Sequence, residues 1–435
     1  MIVVRSRAWW RATLALCLGS LLVFLNLYVP QPLLPLMREA YGISTLVASL
    51  AMSVSTLSLA AALLFFGPLS DAIGRAGIMR LTLLLAGLLS VVLACVAALA
   101  PNFELLLVLR AVQGFVLGGL PAVAIAWMGD EFEKPALLSA VGLYIGANTL
   151  GGIGGRVIGG AVAEVGGISA SFLTVGCLTL VGVVVFWRLL PPARCFQARR
   201  FRLREARAGL AAHLRNPMLV GAYLLGGLNF LIFINQYSYI TFRLAQPPFE
   251  LGEKWLGLLF LTYLSGTFGS ALSGRLSRSL SQPACMAFGI LLLMLGTAVT
   301  LADRLPLILA GLTVNAFGFF LAHSMASSWV GRHAEQDRGS ASALYLVFYY
   351  TGASLGGFWL EPFWWLGEWM GVVLGSWLVL AGTFAIACWL RRGERRRAAV
   401  NEPARAGGAV QGGVLASASS PQISSRRSER PQADL

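Results

Sequence analysis

Twelve times along this chain, a run of about twenty apolar residues is followed by a short polar break. A helix needs about that length to cross a bilayer core of about 30 Å. Lipid offers no hydrogen bonds to a backbone, so a spanning segment is either a helix or a strand of a closed barrel. Alternating ten-residue segments are absent, which leaves helices. The runs fall at 12–36, 46–66, 81–100, 104–127, 137–163, 169–190, 217–242, 255–273, 284–302, 306–330, 340–362 and 369–390. With 57% hydrophobic and 12% charged residues, these 435 residues suit lipid, not two or three soluble domains. The first run has the basic flank of a signal peptide, but it is too long and no small-residue cleavage site follows, so it is expected to stay as the first span.

Charge sets the expected orientation. Twenty-three Lys and Arg residues fall on the side that would be cytoplasmic with the N-terminus inside, against four (Arg38, Arg243, Lys254 and Arg304) on the other. Both termini are expected in the cytoplasm. The net charge of +14 is split into short clusters between apolar runs, which excludes a nucleic-acid surface and leaves the bilayer as the partner. The one long polar interruption divides the spans six and six. The expected units are a helical bundle over 1–190, a basic linker over 191–216, a second bundle over 217–390 and a disordered tail over 391–435. Six scattered cysteines, without paired or metal-ligand spacing, read as apolar packing residues, and no cofactor, metal or catalytic constellation is expected.

The halves repeat weakly. "SAVGLY" at 139–144 returns as "SASALY" at 340–345, and "GPLSD" at 67–71 as "GRLSR" at 274–278. "FLNLY" around Asn26 pairs less well with "GLNFL" around Asn229. Two six-helix bundles related by an axis along the membrane normal are the architecture this implies.

Three motifs carry chemistry. Gly67, Leu69, Asp71, Gly74 and Arg75 are spaced G-x-L-x-D-x-x-G-R between spans 2 and 3. Glycines allow a tight turn, and an acid there can sit at the positive N-terminus of a helix from the other half, such as residues 339–342 at the start of span 11. An ordinary turn holding spans 2 and 3 together is the simpler alternative. In span 4, "RAVQG" places Arg110, Gln113 and Gly114 inside the membrane, where an arginine must face protein or water. In span 5, "GGIGGRVIGG" puts Gly151, Gly155, Gly159 and Gly160 at helical spacing for close packing, with Arg156 as a second buried cation.

These motifs resemble those of the major facilitator superfamily, and the glycine pattern together with "NLYVPQPLLPL" is similar to its YnfM-type bacterial inner-membrane transport proteins. The resemblance covers the twelve spans. It implies an all-α, twelve-helix membrane transporter of two bundles working by alternating access, with Asp71 gating and Arg110 tied to proton movement. Arg156 stands where the superfamily's antiporters carry proline. Further implications are a bacterial inner-membrane location, a monomer, and proton-coupled export of a small drug- or sugar-like molecule. Import of a sugar or organic anion, and a non-transporting sensor or lipid-handling role, remain open.

In the superfamily, spans 1, 4, 7 and 10 line the central cavity. The polar candidates near it are Asn26, Asn229, Asn235, Gln236, Tyr237, Asn315, Tyr345, Tyr349 and Tyr350, with interhelical bonding as the alternative role for each. Glu104, Glu164, Glu361 and His323 are the candidates for carrying a proton.

Overall fold

The computed structural model describes residues 1–99, 102–196, 203–334 and 338–411. Residues Met1–Arg391 form one compact unit and Arg392–Leu435 a second. Among the described residues the fold is helical apart from one isolated bridge between Ile2 and Phe132. In order come α1 (Arg7–Tyr28), α2 (Leu34–Tyr41), α3 (Thr45–Ile73), α4 (Arg75–Leu99), α5 (Phe103–Leu117), α6 (Gly119–Glu131) and α7 (Lys134–Leu189). Then follow α8 (Leu203–Arg215), α9 (Pro217–Leu244), α10 (Glu253–Leu258), α11 (Tyr263–Leu276), α12 (Gln282–Val299), α13 (Leu305–His333) and α14 (Arg338–Gln411). Local signals start several of them: Ser6, Ser44 and Asn102 accept a backbone N–H of the first turn, and Asn216 does so ahead of Pro217.

Ten helices are long and apolar enough to cross a membrane among the described residues, not the twelve expected. The difference lies in α7 and α14. A straight helix of 56 residues, the length of α7, would reach about 84 Å, far beyond one crossing. Gly167 breaks it at φ 71°, and Ser171 Oγ then donates to the Gly159 carbonyl at 2.8 Å, so the chain has folded back on itself. In α14 the break is at Gly367 and Glu368, and Trp359 Nε1 donates to the Gly375 carbonyl at 3.0 Å across it. Each long helix therefore has two apolar arms joined by one or two residues.

Both breaks fall between expected runs, 137–163 and 169–190 in α7, 340–362 and 369–390 in α14. Elsewhere boundaries shift. The first run divides at Tyr28 into α1, a 3-10 turn and α2, and the fourth divides at Gly118 into α5 and α6. Helix α14 continues to Gln411, into the tail expected to lack structure. Residues 412–435 of that tail lie outside the described ones.

Helix α7 packs along α1 and α4, and α3 along α5; after the linker, α13 packs along α12, α11 and α9. The faces turned away from these contacts carry exposed Leu85, Leu88, Val92, Val108, Leu173, Leu291 and Leu378, an apolar outer surface suited to lipid. Small residues set the tightest approaches. A Cβ on Gly151, Gly155 or Gly159 would run into the α1 backbone or Val29, and one on Gly160 into the carbonyl of Glu253. Three of the four glycines expected as a packing face thus seat α7 on α1, and the fourth seats it on α10.

Candidate functional site

The first of three polar centres is the turn between α3 and α4. The G-x-L-x-D-x-x-G-R motif is not an open loop: α3 remains helical through Ile73, with Gly67 and Pro68 inside it, and α4 begins at Arg75. The junction is Gly74 alone, at φ 95°, where a side chain would strain the backbone. Arg75 donates to Asp71 Oδ1 at 2.7 Å and also pairs with Asp130 at the end of α6, so it ties α3, α4 and α6 together. Beside this, Glu131 Oε1 accepts the backbone N–H groups of Arg194 and Cys195, each at 2.8 Å, anchoring the chain as it leaves α7. The Asp71 side chain is 45% exposed, and its bond to Arg75 lies within the first half.

The second centre is Arg110, wholly buried in α5. Its Nε donates to the Ala51 carbonyl at 3.1 Å, Nη1 to the Asn26 carbonyl at 3.2 Å and to Gln113 Oε1, and Nη2 to the Leu27 carbonyl at 2.9 Å. Every nitrogen is occupied, and three helices are bound into one body. Gly114 completes the arrangement, since a Cβ there would overlap the Ser55 backbone while Ser55 Oγ donates to the Arg110 carbonyl. Asn26 joins the same knot: Ser90 Oγ donates to its Oδ1 at 2.5 Å, its Nδ2 donates to Thr179 Oγ1 at 2.7 Å, and Gln113 Nε2 donates to Ser90 Oγ at 2.6 Å.

The second half builds a matching knot. Asn315 Nδ2 donates to Gln236 Oε1 at 2.9 Å and to Thr297 Oγ1 at 3.0 Å, and Gln236 Nε2 donates to Thr297 Oγ1 at 3.1 Å. Asn235 donates to the carbonyls of Leu231 and Ala353, and Tyr237 to that of Leu312. Among the residues expected at a substrate cavity, Asn26, Asn235, Gln236, Tyr237 and Asn315 are therefore enclosed and bonded between helices. Tyr345 is also enclosed, its Oη 2.9 Å from His323 Nδ1. Tyr350 is enclosed, its ring edge-on to Tyr349. Two differ: Tyr349 is half-buried and stacked on Phe230 at 3.7 Å between ring centres, and Asn229 is buried with neither amide atom bonded.

The third centre is Arg156, and it lies where the two halves meet. Its Nε donates to Gln31 Oε1 at 2.8 Å and Nη1 to the Gly152 carbonyl at 2.8 Å. Gln31 Nε2 in turn donates to the Ile234 carbonyl and to Ser238 Oγ, both at 3.0 Å, so the chain of bonds passes from α7 to α9. Three rings enclose the guanidinium: Tyr28 at 3.9 Å, Phe260 at 4.6 Å and Tyr263 at 4.9 Å. Nearby, Glu164 accepts the Lys254 N–H at 3.1 Å, another link between the halves. Neither Phe260 nor Tyr263 stood out in the sequence, because an aromatic residue in an apolar run has many roles.

Of the four acids and bases named as proton carriers, Glu104 and Glu164 are exposed and His323 is half-buried. Glu361 is buried, and its carboxylate accepts from Tyr239 Oη at 2.7 Å and from Trp365 Nε1 at 2.9 Å, both neutral donors. No group of three or more His, Cys, Asp or Glu side chains that could hold a metal occurs among the described residues.

The sequence profile of the Major Facilitator Superfamily matches residues 16–357, and the chain belongs to that superfamily. Its relatives include the MFS-type transporter YybF of Bacillus subtilis, 36% identical over 83% of this chain and 89% of that one. The inner membrane transport protein YnfM of Escherichia coli is 34% identical over 89% of this chain and 92% of its own. Among solved structures, a bacterial homologue of the human lysosomal transporter Spinster, inward-facing and unoccupied, superposes with TM-score 0.67 at 16% identity, covering 88% of this chain and 96% of that one. The nucleoside transporter NupG also superposes with TM-score 0.67 at 16% identity, over 86% of this chain and 99% of its own. These relatives are transporters, not enzymes.

Proposed function

We propose that this protein is a secondary active transporter that moves a small organic solute out of a bacterial cell by alternating access, as a monomer, driven by proton entry. Helices within 1–190 and 217–390 act as the two moving bodies, the linker at 191–216 joins them, and both termini and the tail at 391–435 face the cytoplasm, as the arginine and lysine distribution favours. The observation that carries this reading is the bond series Arg156–Gln31–Ser238. It closes one end of the molecule between the halves, while at the opposite end Asp71 pairs within its own half.

In this reading the closed end is periplasmic. When the bodies rock, the Arg156 contacts part and Asp71 docks on the backbone amides of residues 339–342, shutting the cytoplasmic end. Arg110 keeps the first body rigid while it moves. Glu361 carries the proton, because its carboxylate is enclosed beside neutral donors and a proton changes its charge without breaking an ion pair.

Transport is tested with inside-out membrane vesicles from an overexpressing strain and a panel of labelled solutes. Export requires accumulation inside those vesicles when a proton gradient is applied, absent in Asp71→Asn. Accumulation driven by the gradient in intact cells instead would make the protein an importer.

A further inference from the structure

The two buried arginines differ in one respect. Arg110 has an acceptor for every nitrogen. Arg156, 1% exposed, has acceptors for Nε and Nη1 only, and its Nη2 is enclosed without a partner. The Tyr263 hydroxyl, on the ring 4.9 Å from the guanidinium, is enclosed without a partner as well. The side chains that surround Arg156 are Tyr28, Gln31, Phe260 and Tyr263, all neutral. A buried cation with an unused nitrogen, and an unused phenol on a ring that packs against it, supply one positive charge and two spare donors, the chemistry a carboxylate needs.

The apolar surroundings continue from that point. Tyr263 packs on Phe233 at 5.0 Å between ring centres, Phe233 stacks on Phe319 at 3.9 Å, and Phe319 lies 6.4 Å from Tyr349, which stacks on Phe230. A file of rings thus leads from the guanidinium into the second half. Rings of this kind accommodate a flat or branched apolar body, while Arg156 holds its charged end.

We propose that Arg156 and Tyr263 form the anion subsite of the transported solute, and that the solute is an amphipathic monocarboxylate. This rests on the transport reading for the same site. The rings that cover the guanidinium are from both halves: Tyr28 from the first, Phe260 and Tyr263 from the second. The carboxylate reaches Arg156 by displacing a ring face, so solute binding loosens the contact that holds this end shut. Binding and opening are then one event.

The test uses the purified full-length protein in detergent and thermal unfolding as the readout. The probes are benzoate, phenylacetate, indole-3-acetate and 4-methylpentanoate, each beside its neutral primary amide and its primary amine. Saturable stabilisation by at least one acid, absent with the paired amide and amine, is expected. Arg156→Gln should weaken that acid at least about a hundredfold, and Tyr263→Phe, which keeps the charge and the ring, about tenfold or more, as loss of one hydrogen bond to a charged group does. The inference is overturned if acid and amide stabilise equally, if no acid in the panel binds, or if the acid binds Tyr263→Phe and a folded Arg156→Gln as well as the parent. Vesicle flux of a neutral or cationic solute that depends on this protein would leave the transport reading standing while removing the anion subsite.

Discussion

The Arg156 guanidinium lies 4.6 Å from the centre of the Phe260 ring, so a cation on α7 is held by an aromatic residue just after α10. The hydrogen bond from Arg156 to Gln31, which itself bonds Ser238, joins the same two halves. An element that moves between two arrangements needs contacts that are specific yet individually modest, and cation–π contacts and hydrogen bonds from a cation to a neutral acceptor meet that requirement. A fully paired buried ion pair would cost more to separate.

The glycine seam separates packing from function. Gly155→Ala pushes a methyl into the Leu25 backbone and should lower stability by about 1–3 kcal/mol, the usual cost of overpacking. Gly154, one residue earlier, faces open space, and Gly154→Ala should leave stability unchanged or raise it by up to about 1 kcal/mol. Thermal unfolding of the two purified variants checks the contrast; equal effects would remove the seam.

Arg110 is a structural tie in its bonds, and its replacement should be read in stability first. Arg110→Ala leaves the Gln113 amide oxygen without its donor and strips a hydrogen bond from each of three carbonyls, with an expected loss of about 1–3 kcal/mol. Arg110→Lys recovers part of that. Coupled flux should fall in the same order, and a destabilised Ala variant with full flux would confine the residue to packing.

Asp71 should behave in the opposite way. Its bond to Arg75, four residues on, is half-exposed at the Asp71 end, Arg75 keeps its pairing with Asp130, and Asn keeps an oxygen for it, so Asp71→Asn should change stability by less than about 1 kcal/mol. Solute flux should nevertheless be abolished, because the carboxylate is needed when the other end closes. Insertion, unfolding temperature and flux measured on one preparation decide this, and normal flux would leave Asp71 as a turn residue.

Glu361→Gln keeps one oxygen to accept from Trp365 and offers its amide N–H to the Tyr239 hydroxyl, which also donates to the Gly357 carbonyl, but it cannot take up a proton. Exchange of labelled for unlabelled solute across proteoliposomes should persist, while accumulation driven by a pH gradient falls to background. If gradient-driven accumulation survives, the proton travels elsewhere.

Much of this was legible in the chain. Apolar runs located most helices within several residues, the end of α14 and the divided first and fourth runs apart, and "RAVQG" and "GGIGGRVIGG" marked Arg110, Gly114 and the glycine seam before any partner was known. The two hairpin breaks were legible as well: Gly167 falls between the runs 137–163 and 169–190, and Gly367 with Glu368 between 340–362 and 369–390. Partners distant in sequence were not legible: Asn26 meets Ser90, Gln113 and Thr179, and Arg156 meets Phe260 and Tyr263 only once the helices are packed. One signal was present but unread. "FLNLY" at 24–28 matches "FINQY" at 233–237 better than the segment around Asn229, and in both the asparagine donates to the carbonyl four residues before it.

The central claim is that the end held by Arg156, Gln31 and Ser238 must open in every transport cycle. Its most direct test places Gln31→Cys and Ser238→Cys in a background whose six native cysteines are replaced, and bridges the pair with a short, reducible thiol-reactive linker in reconstituted vesicles. The account predicts that bridging stops flux and that reduction restores it, while the flux of either single-cysteine variant is not changed by adding the linker. Full flux through the bridged protein would contradict it.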